Sequence, residues 1–175
     1  MVGSLQIATE VAVRRVILDI GTHKTGSTSR QEFLRDHAAQ LREFGIEFYE
    51  GSILPSNHVD LHMCCMDDDR LSPIKLEQGK KFNRRELFER TADRIASYLQ
   101  HKDWSTLVFS AEGLSYLIND SELERLAELF PDVEVDVVVY LRDKGHFLAS
   151  YKRQLARMGI EPSLDRASFA YVGED

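Results

Sequence analysis

Two cysteines, adjacent at Cys64 and Cys65, are the only ones in a chain of 175 residues. Neighbouring cysteines rarely bridge, so no disulfide framework is expected, and a reducing, cytoplasmic setting is the simplest reading. Positive charge is also scarce: 22 lysines and arginines face 29 aspartates and glutamates, for a net charge of −7. No basic stretch dominates, which removes broad nucleic-acid binding from the expected roles. Long hydrophobic runs are missing too, and nothing approaches the roughly 20 apolar residues that a bilayer span requires. The opening residues are too polar for a secretory leader, and Arg14-Arg15 follow the short apolar patch instead of preceding it. Internal repeats and low-complexity segments are absent. What remains is the profile of a soluble globular protein, with 43% hydrophobic and 29% charged residues.

The length suits one domain with one core. Residues 1–13 read as a tail or short added element, and 14–175 as a single α/β domain. A first strand is expected near Arg15 to Gly21 and a first helix near Thr28 to Phe44. Along that helix Phe33, Leu34, His37, Ala38, Leu41 and Phe44 recur at helical spacing. Gly45 is placed to end it, and Ile46-Glu47-Phe48-Tyr49 alternates as a strand does. Between Gly51 and Lys81 the pattern is poor, with a short helix expected through Asn57 to Met66. An amphipathic helix carrying Phe88, Ala92, Ile95 and Leu99 follows, then a strand at Thr106 to Ser110. Ser121 with Glu124 reads as a capping box. Val133 to Leu141 is the most hydrophobic strand, the pattern of a buried central parallel strand. A last helix is expected from Gly145 to Met158, with Phe147, Tyr151, Leu155 and Met158 facing inward. Strand–helix alternation of this kind predicts a three-layer sandwich around a mainly parallel sheet.

The chain is organised around Val16-Ile17-Leu18-Asp19-Ile20-Gly21-Thr22-His23-Lys24-Thr25-Gly26-Ser27-Thr28. A β-branched run gives way to a glycine-bounded loop and then to a helix. Ordinary strand–helix turns also use glycine and hydroxyl residues. Here two glycines five apart enclose a lysine and lead into Ser27-Thr28-Ser29, the composition of an anion cradle at a helix N-terminus. A nucleoside-triphosphate loop reads G-x-x-x-x-G-K-[ST], with its hydroxyl on magnesium. In this chain Ser27 takes the lysine position, and Lys24 has moved inside the loop.

Lys24-Thr25-Gly26-Ser27-Thr28 closely resembles the 5′-phosphosulfate loop of the sulfotransferases, K-[ST]-G-[ST]-T. With Gly21 before it and Gln31 after it, the match is nearest to the bacterial and heparan-type branch. The resemblance implies a P-loop-like sulfotransferase topology and 3′-phosphoadenosine 5′-phosphosulfate (PAPS) as donor, with no metal. It implies that Gly21, His23, Lys24, Thr25, Gly26, Ser27 and Thr28 line the donor's 5′ end. Arg142 leaves the hydrophobic strand and Ser150 follows eight residues later, the separation of the family's arginine and serine clamp on the 3′-phosphate. Guanidinium suits phosphate through two parallel hydrogen bonds. Two departures are visible. Ser29 stands where some members carry an adenine-stacking aromatic, and family members continue with another strand and helices, so an incomplete domain is expected.

The implied reaction moves a sulfuryl group to a hydroxyl or amine of an unknown small-molecule or carbohydrate acceptor. Lys24 would stabilise the leaving phosphate. Two residues compete as general base: Glu112, just after the third strand, and His58, on a segment able to cap the site. His58, His62, Cys64 and Cys65 match no common zinc spacing, so no metal site is expected. The alternatives are a P-loop nucleotide or small-molecule kinase, and a non-catalytic homologue that binds donor or product. The oligomeric state is open.

Overall fold

The computed structural model describes residues 14–78, 83–101 and 103–173. The expected tail at 1–13 lies outside them, as do residues 174–175 of the expected domain. In chain order the elements are β1 (Arg15–Asp19), α1 (Ser27–Asp36), α2 (Ala38–Glu43), β2 (Ile46–Phe48), α3 (Val59–Cys65) and α4 (Pro73–Gln78). They continue with α5 (Arg84–Gln100), β3 (Thr106–Ser110), a 3-10 helix (Glu112–Tyr116), α6 (Asp120–Glu128), β4 (Glu134–Val138) and α7 (Lys144–Arg157). The four strands form one all-parallel sheet in the order β2-β3-β1-β4. This is an α/β fold, with helices on both sides of the sheet.

Period-two alternation divides the strands between two faces. Val16 and Leu18 of β1 join Leu107 and Phe109 of β3 in one core with Leu61 and Met63 of α3 and Leu87 and Ile95 of α5. Such side chains contribute about 1.5–3 kcal/mol each when fully buried. On the other face Gln31 of α1 donates to the Ser110 hydroxyl at 3.3 Å. A second, smaller cluster joins Tyr151 and Leu155 of α7 to Phe169, Ala170 and Val172. Among the described residues no helix is long and apolar enough to cross a membrane.

The topology sets Asp19 beside both Ser110 and Val138. The carboxyl ends of β1, β3 and β4 are therefore side by side, and the loops leaving them converge. In parallel sheets that is where ligands bind.

Four sequence expectations are corrected. The strand read as central is β4, and among the described residues it is an edge strand with β1 as its one neighbour. Val137 is 59% exposed and Leu141 79%, because the apolar run meets no second strand among the described residues. The helix expected through Phe44 breaks at His37, whose backbone leaves the helical region at φ −108° and ψ 13°. Its buried residues are the polar Ser27 and Gln31, while Phe33 and Phe44 are exposed. The capping pair of α6 is Asn119 with Glu122, not Ser121 with Glu124. The Glu122 carboxylate accepts from the Asn119 amide at 3.1 Å, and Ser121 donates to Asp67 instead. Met158, expected to face inward, is exposed just past the end of α7.

Candidate functional site

The loop leaving β1 is fixed from beneath by a buried polar network. Asp19 accepts from the Gly21 amide at 3.2 Å and from the Ser110 hydroxyl at 2.9 Å. Arg30, one turn into α1, grips the same carboxylate with Nε at 3.2 Å and Nη2 at 3.1 Å. Its guanidinium also lies 3.9 Å from the centroid of the Tyr140 ring. The guanidinium packs close over Gly21: a Cβ there would come within 2.9 Å of Arg30 Nη2 and push it aside. Nothing in the sequence motif marked Asp19 and Arg30, which stand 11 residues apart and meet only through the fold.

Inside the loop, Lys24 is a non-glycine residue at φ 68° and Gly26 follows at φ 83°. A lysine in the left-handed region costs of order 1–3 kcal/mol, which the surrounding bonds must offset. Thr25 Oγ1 donates to the Thr22 carbonyl at 2.6 Å, and Arg142 Nη1 donates to the Lys24 carbonyl at 3.0 Å. Backbone that alternates in this way turns its amides toward an anion. Gly26 caps α1 without any side-chain bond, leaving the first amides of that helix free of a side-chain acceptor. No atom lies within 4 Å of where a Gly26 Cβ would stand, so the cradle is open on that side.

A cavity of about 280 Å³ occupies this end of the sheet. His23, Lys24, Gly26, Ser27, Thr28, Glu112, Arg142 and Gln154 line it. Most sequence-predicted residues thus share one cleft. Gly21 and Thr25 shape the loop without lining the cavity. Ser150 does not line it either: it is half-buried one turn before Gln154 on α7. Gln154 was missed because a lone helix glutamine carries no motif.

Glu112 opens the 3-10 helix after β3, and its position decides its contacts. Ser27 Oγ donates to Oε2 at 2.5 Å, and His23 Nδ1 lies 3.4 Å from Oε1. Burial pushes the Glu112 carboxyl up, but His23, Ser27 and Lys24 outweigh it and hold the group below its ordinary value. It is therefore ionised at neutral pH. The His23 ring stacks on Tyr116 at 4.7 Å between centroids, and its Nε2 is buried without a partner. The Lys24 ammonium makes no hydrogen bond or ion pair among the described residues.

His58 is not brought to this cleft, and the expectation that it competes as base is corrected. It is fully buried, with Phe48, Tyr49 and Phe109 around the ring. Nδ1 accepts from the Ser110 amide at 2.9 Å, and burial pushes its pKa down to about 4. A core of aromatics on three sides holds it where a short polar-looking segment gave no hint of burial.

His62 lies fully enclosed beneath the 3-10 helix, against the Gly113 backbone. A Cβ at Gly113 would fall inside the His62 imidazole. Gly113→Ala should therefore cost about 1–3 kcal/mol in a urea titration, because the displaced ring has nowhere to go. A change under a few tenths would show that the ring and helix yield freely.

Fold and cleft together define an α/β protein whose parallel strands deliver a glycine-bounded loop, a carboxylate and an arginine to one polar cavity. Comparison with protein-family models, with curated proteins and with solved structures returned no match.

Proposed function

We propose that the chain transfers a sulfuryl group from PAPS to a hydroxyl or amine acceptor. One observation carries this reading: Lys24, the N-terminus of α1 and Arg142 converge on a single polar cavity that also holds Glu112. The strand order β2-β3-β1-β4, with the loop-bearing strand internal, supports a P-loop-like sulfotransferase topology. The residues suit the donor chemically. An unpaired lysine, helix amides and an arginine are the groups that bind phosphate and sulfate oxygens. The cavity has room for the charged end of a nucleotide. The neighbouring groove of about 470 Å³, with Phe33 and Tyr140 in its walls, offers the base an apolar surface in place of the aromatic that Ser29 lacks.

The donor supplies an electrophilic sulfur, to which the acceptor oxygen bonds as the sulfur–oxygen bond to the 5′-phosphate breaks. Glu112 takes the acceptor's proton, the one step that needs an ionised carboxylate. Lys24 neutralises charge on the departing phosphate oxygen, and Ser27 and Thr28 hold the transferring group in line. His23 positions Glu112 from the side opposite Ser27. Arg142 holds the 3′-phosphate.

Thermal unfolding with 3′,5′-adenosine bisphosphate tests the reading. At a hundredfold over its dissociation constant this product should add about 2.7 kcal/mol to the native state. Lys24→Ala should lose most of that gain while melting normally without ligand. Stabilisation by ATP with magnesium, and none by the bisphosphate, would instead identify a kinase. Binding without transfer to any acceptor would identify a non-catalytic homologue.

A further inference from the structure

A second cavity of about 280 Å³ shares His23 with the first. It is bounded by the 3-10 helix, by α7 and by the segment that follows α7. Its walls are aromatic: Tyr116 stacks on His23, and Phe147 lies nearly parallel to Tyr151 with centroids 5.5 Å apart. Two arginines complete it. The Arg70 side chain is only 9% exposed: its terminal nitrogens are held by Glu122 and by the carbonyls of Tyr116 and Ala167, and its Nε is buried with no hydrogen-bond partner. Arg166 stands exposed at the edge, with no hydrogen bond or ion pair among the described residues. None of the described residues lining the cavity is a carboxylate or carboxamide, the side chains that pair with sugar hydroxyls.

We infer that this cavity takes the acceptor, a single flat aromatic ring bearing a hydroxyl and a carboxylate or similar anion. The inference rests on the transfer reaction proposed above. Aromatic walls favour ring stacking over bulk apolar filling. Arg166, without a partner among the described residues, supplies the charge that an anion needs in a protein whose net charge is −7. Burial raises the Tyr116 and Tyr151 phenols above their ordinary values, so neither adds negative charge. A ring seated there presents its hydroxyl at the His23 wall, where His23 Nδ1 is 3.4 Å from Glu112. The hydroxyl's proton then passes through His23 to the Glu112 carboxylate.

The test is calorimetric titration of the full chain with 4-hydroxyphenylacetate, with its neutral alcohol analogue and with glucose, each with and without the adenosine bisphosphate. The anionic ring should bind about tenfold tighter than the neutral one, the scale of one or two partly exposed charge contacts. Arg166→Glu should erase that preference while bisphosphate binding persists, since Arg166 is exposed and holds no part of the fold together. Phe147→Ala should weaken both rings alike. Equal binding of charged and neutral rings, indifference to Arg166→Glu, or stronger binding of glucose would each overturn the inference. Bisphosphate binding without ring binding overturns the cavity alone. Ring binding that depends on Arg166, with no bisphosphate binding, supports the cavity as an anionic-ring site and removes the donor reading.

Discussion

Glu122→Ala should lower the unfolding free energy by about 3–5 kcal/mol, the cost of removing one partner from a buried ion pair. The carboxylate is fully buried and bonded to the Arg70 guanidinium. It also accepts from the backbone amides of Asp67 at 2.9 Å, Ile118 at 2.9 Å and Asn119 at 3.1 Å. Burial would raise its pKa, but those three amides and Arg70 outweigh it and hold the group below its ordinary value. Arg70 in turn donates to the carbonyls of Tyr116 at 2.7 Å and Ala167 at 3.2 Å. Truncating Glu122 leaves a guanidinium and three amides without their acceptor, in a place water does not reach. Urea titration measures the loss, and Glu122→Gln should recover part of it by keeping an oxygen for the amides. In the Arg70→Met background Glu122→Ala should cost much less, since the stranded charge is gone. A loss below about 1 kcal/mol would mean that water enters and repairs the site. The same bonds tie α6, the 3-10 helix that carries Glu112, and the wall of the second cavity together.

The second large effect is acid sensitivity well above the usual carboxylate range. Burial lowers the His58 pKa to about 4 and the His62 pKa to about 3, against an ordinary value of 6.5. Asp60 pulls His58 partly back up, and Glu112 does the same for His62, while His23 and Lys75 push His62 further down. Between about pH 6.5 and these values, the unfolded chain binds two protons that the native state refuses. Stability is therefore complete above pH 6.5 and falls as pH falls. Going from pH 7 to pH 5 should remove about 4 kcal/mol in total, since each unit of separation is worth 1.36 kcal/mol per group. Carboxylates with lowered pKa values, such as Glu112 and Glu122, contribute losses only below their ordinary range and leave this window to the histidines. Denaturant midpoints taken at half-unit intervals measure the slope. His62→Gln should remove about half of it; a flat profile from pH 7 to pH 5 would refute the burial argument.

The β1–loop–α1 unit was legible because its signal is local. A β-branched run, two glycines and a helix-compatible stretch specify strand, turn and helix without help from the rest of the chain. β3 was read to the residue for the same reason. Gly45 ends α2 at φ 71°, as its place in the sequence implied. Glu112 was legible by position, two residues beyond a strand end, although its bonds to Ser27 and His23 were not. Exposure was the hard quantity. Val135 and Val137 read as core, and only the strand order reveals that they sit on an edge. His58 read as a candidate base on a segment able to cap the site, and only packing by aromatics that include Phe48 of β2 and Phe109 of β3 encloses it.

By itself the sequence determined the α/β class and the strand, glycine-bounded loop and helix across Val16 to Thr28. Backbone propensity, hydrophobic period and glycine spacing act over a few residues, and a chain carries them wherever it goes. Tertiary structure decided which side chains meet. It joined Asp19 to Arg30, set Arg142 against the Lys24 turn, gave Glu112 its two neighbours and withdrew His58 into the core. Those contacts depend on strand order and register, and they join residues up to 118 positions apart and leave no local trace.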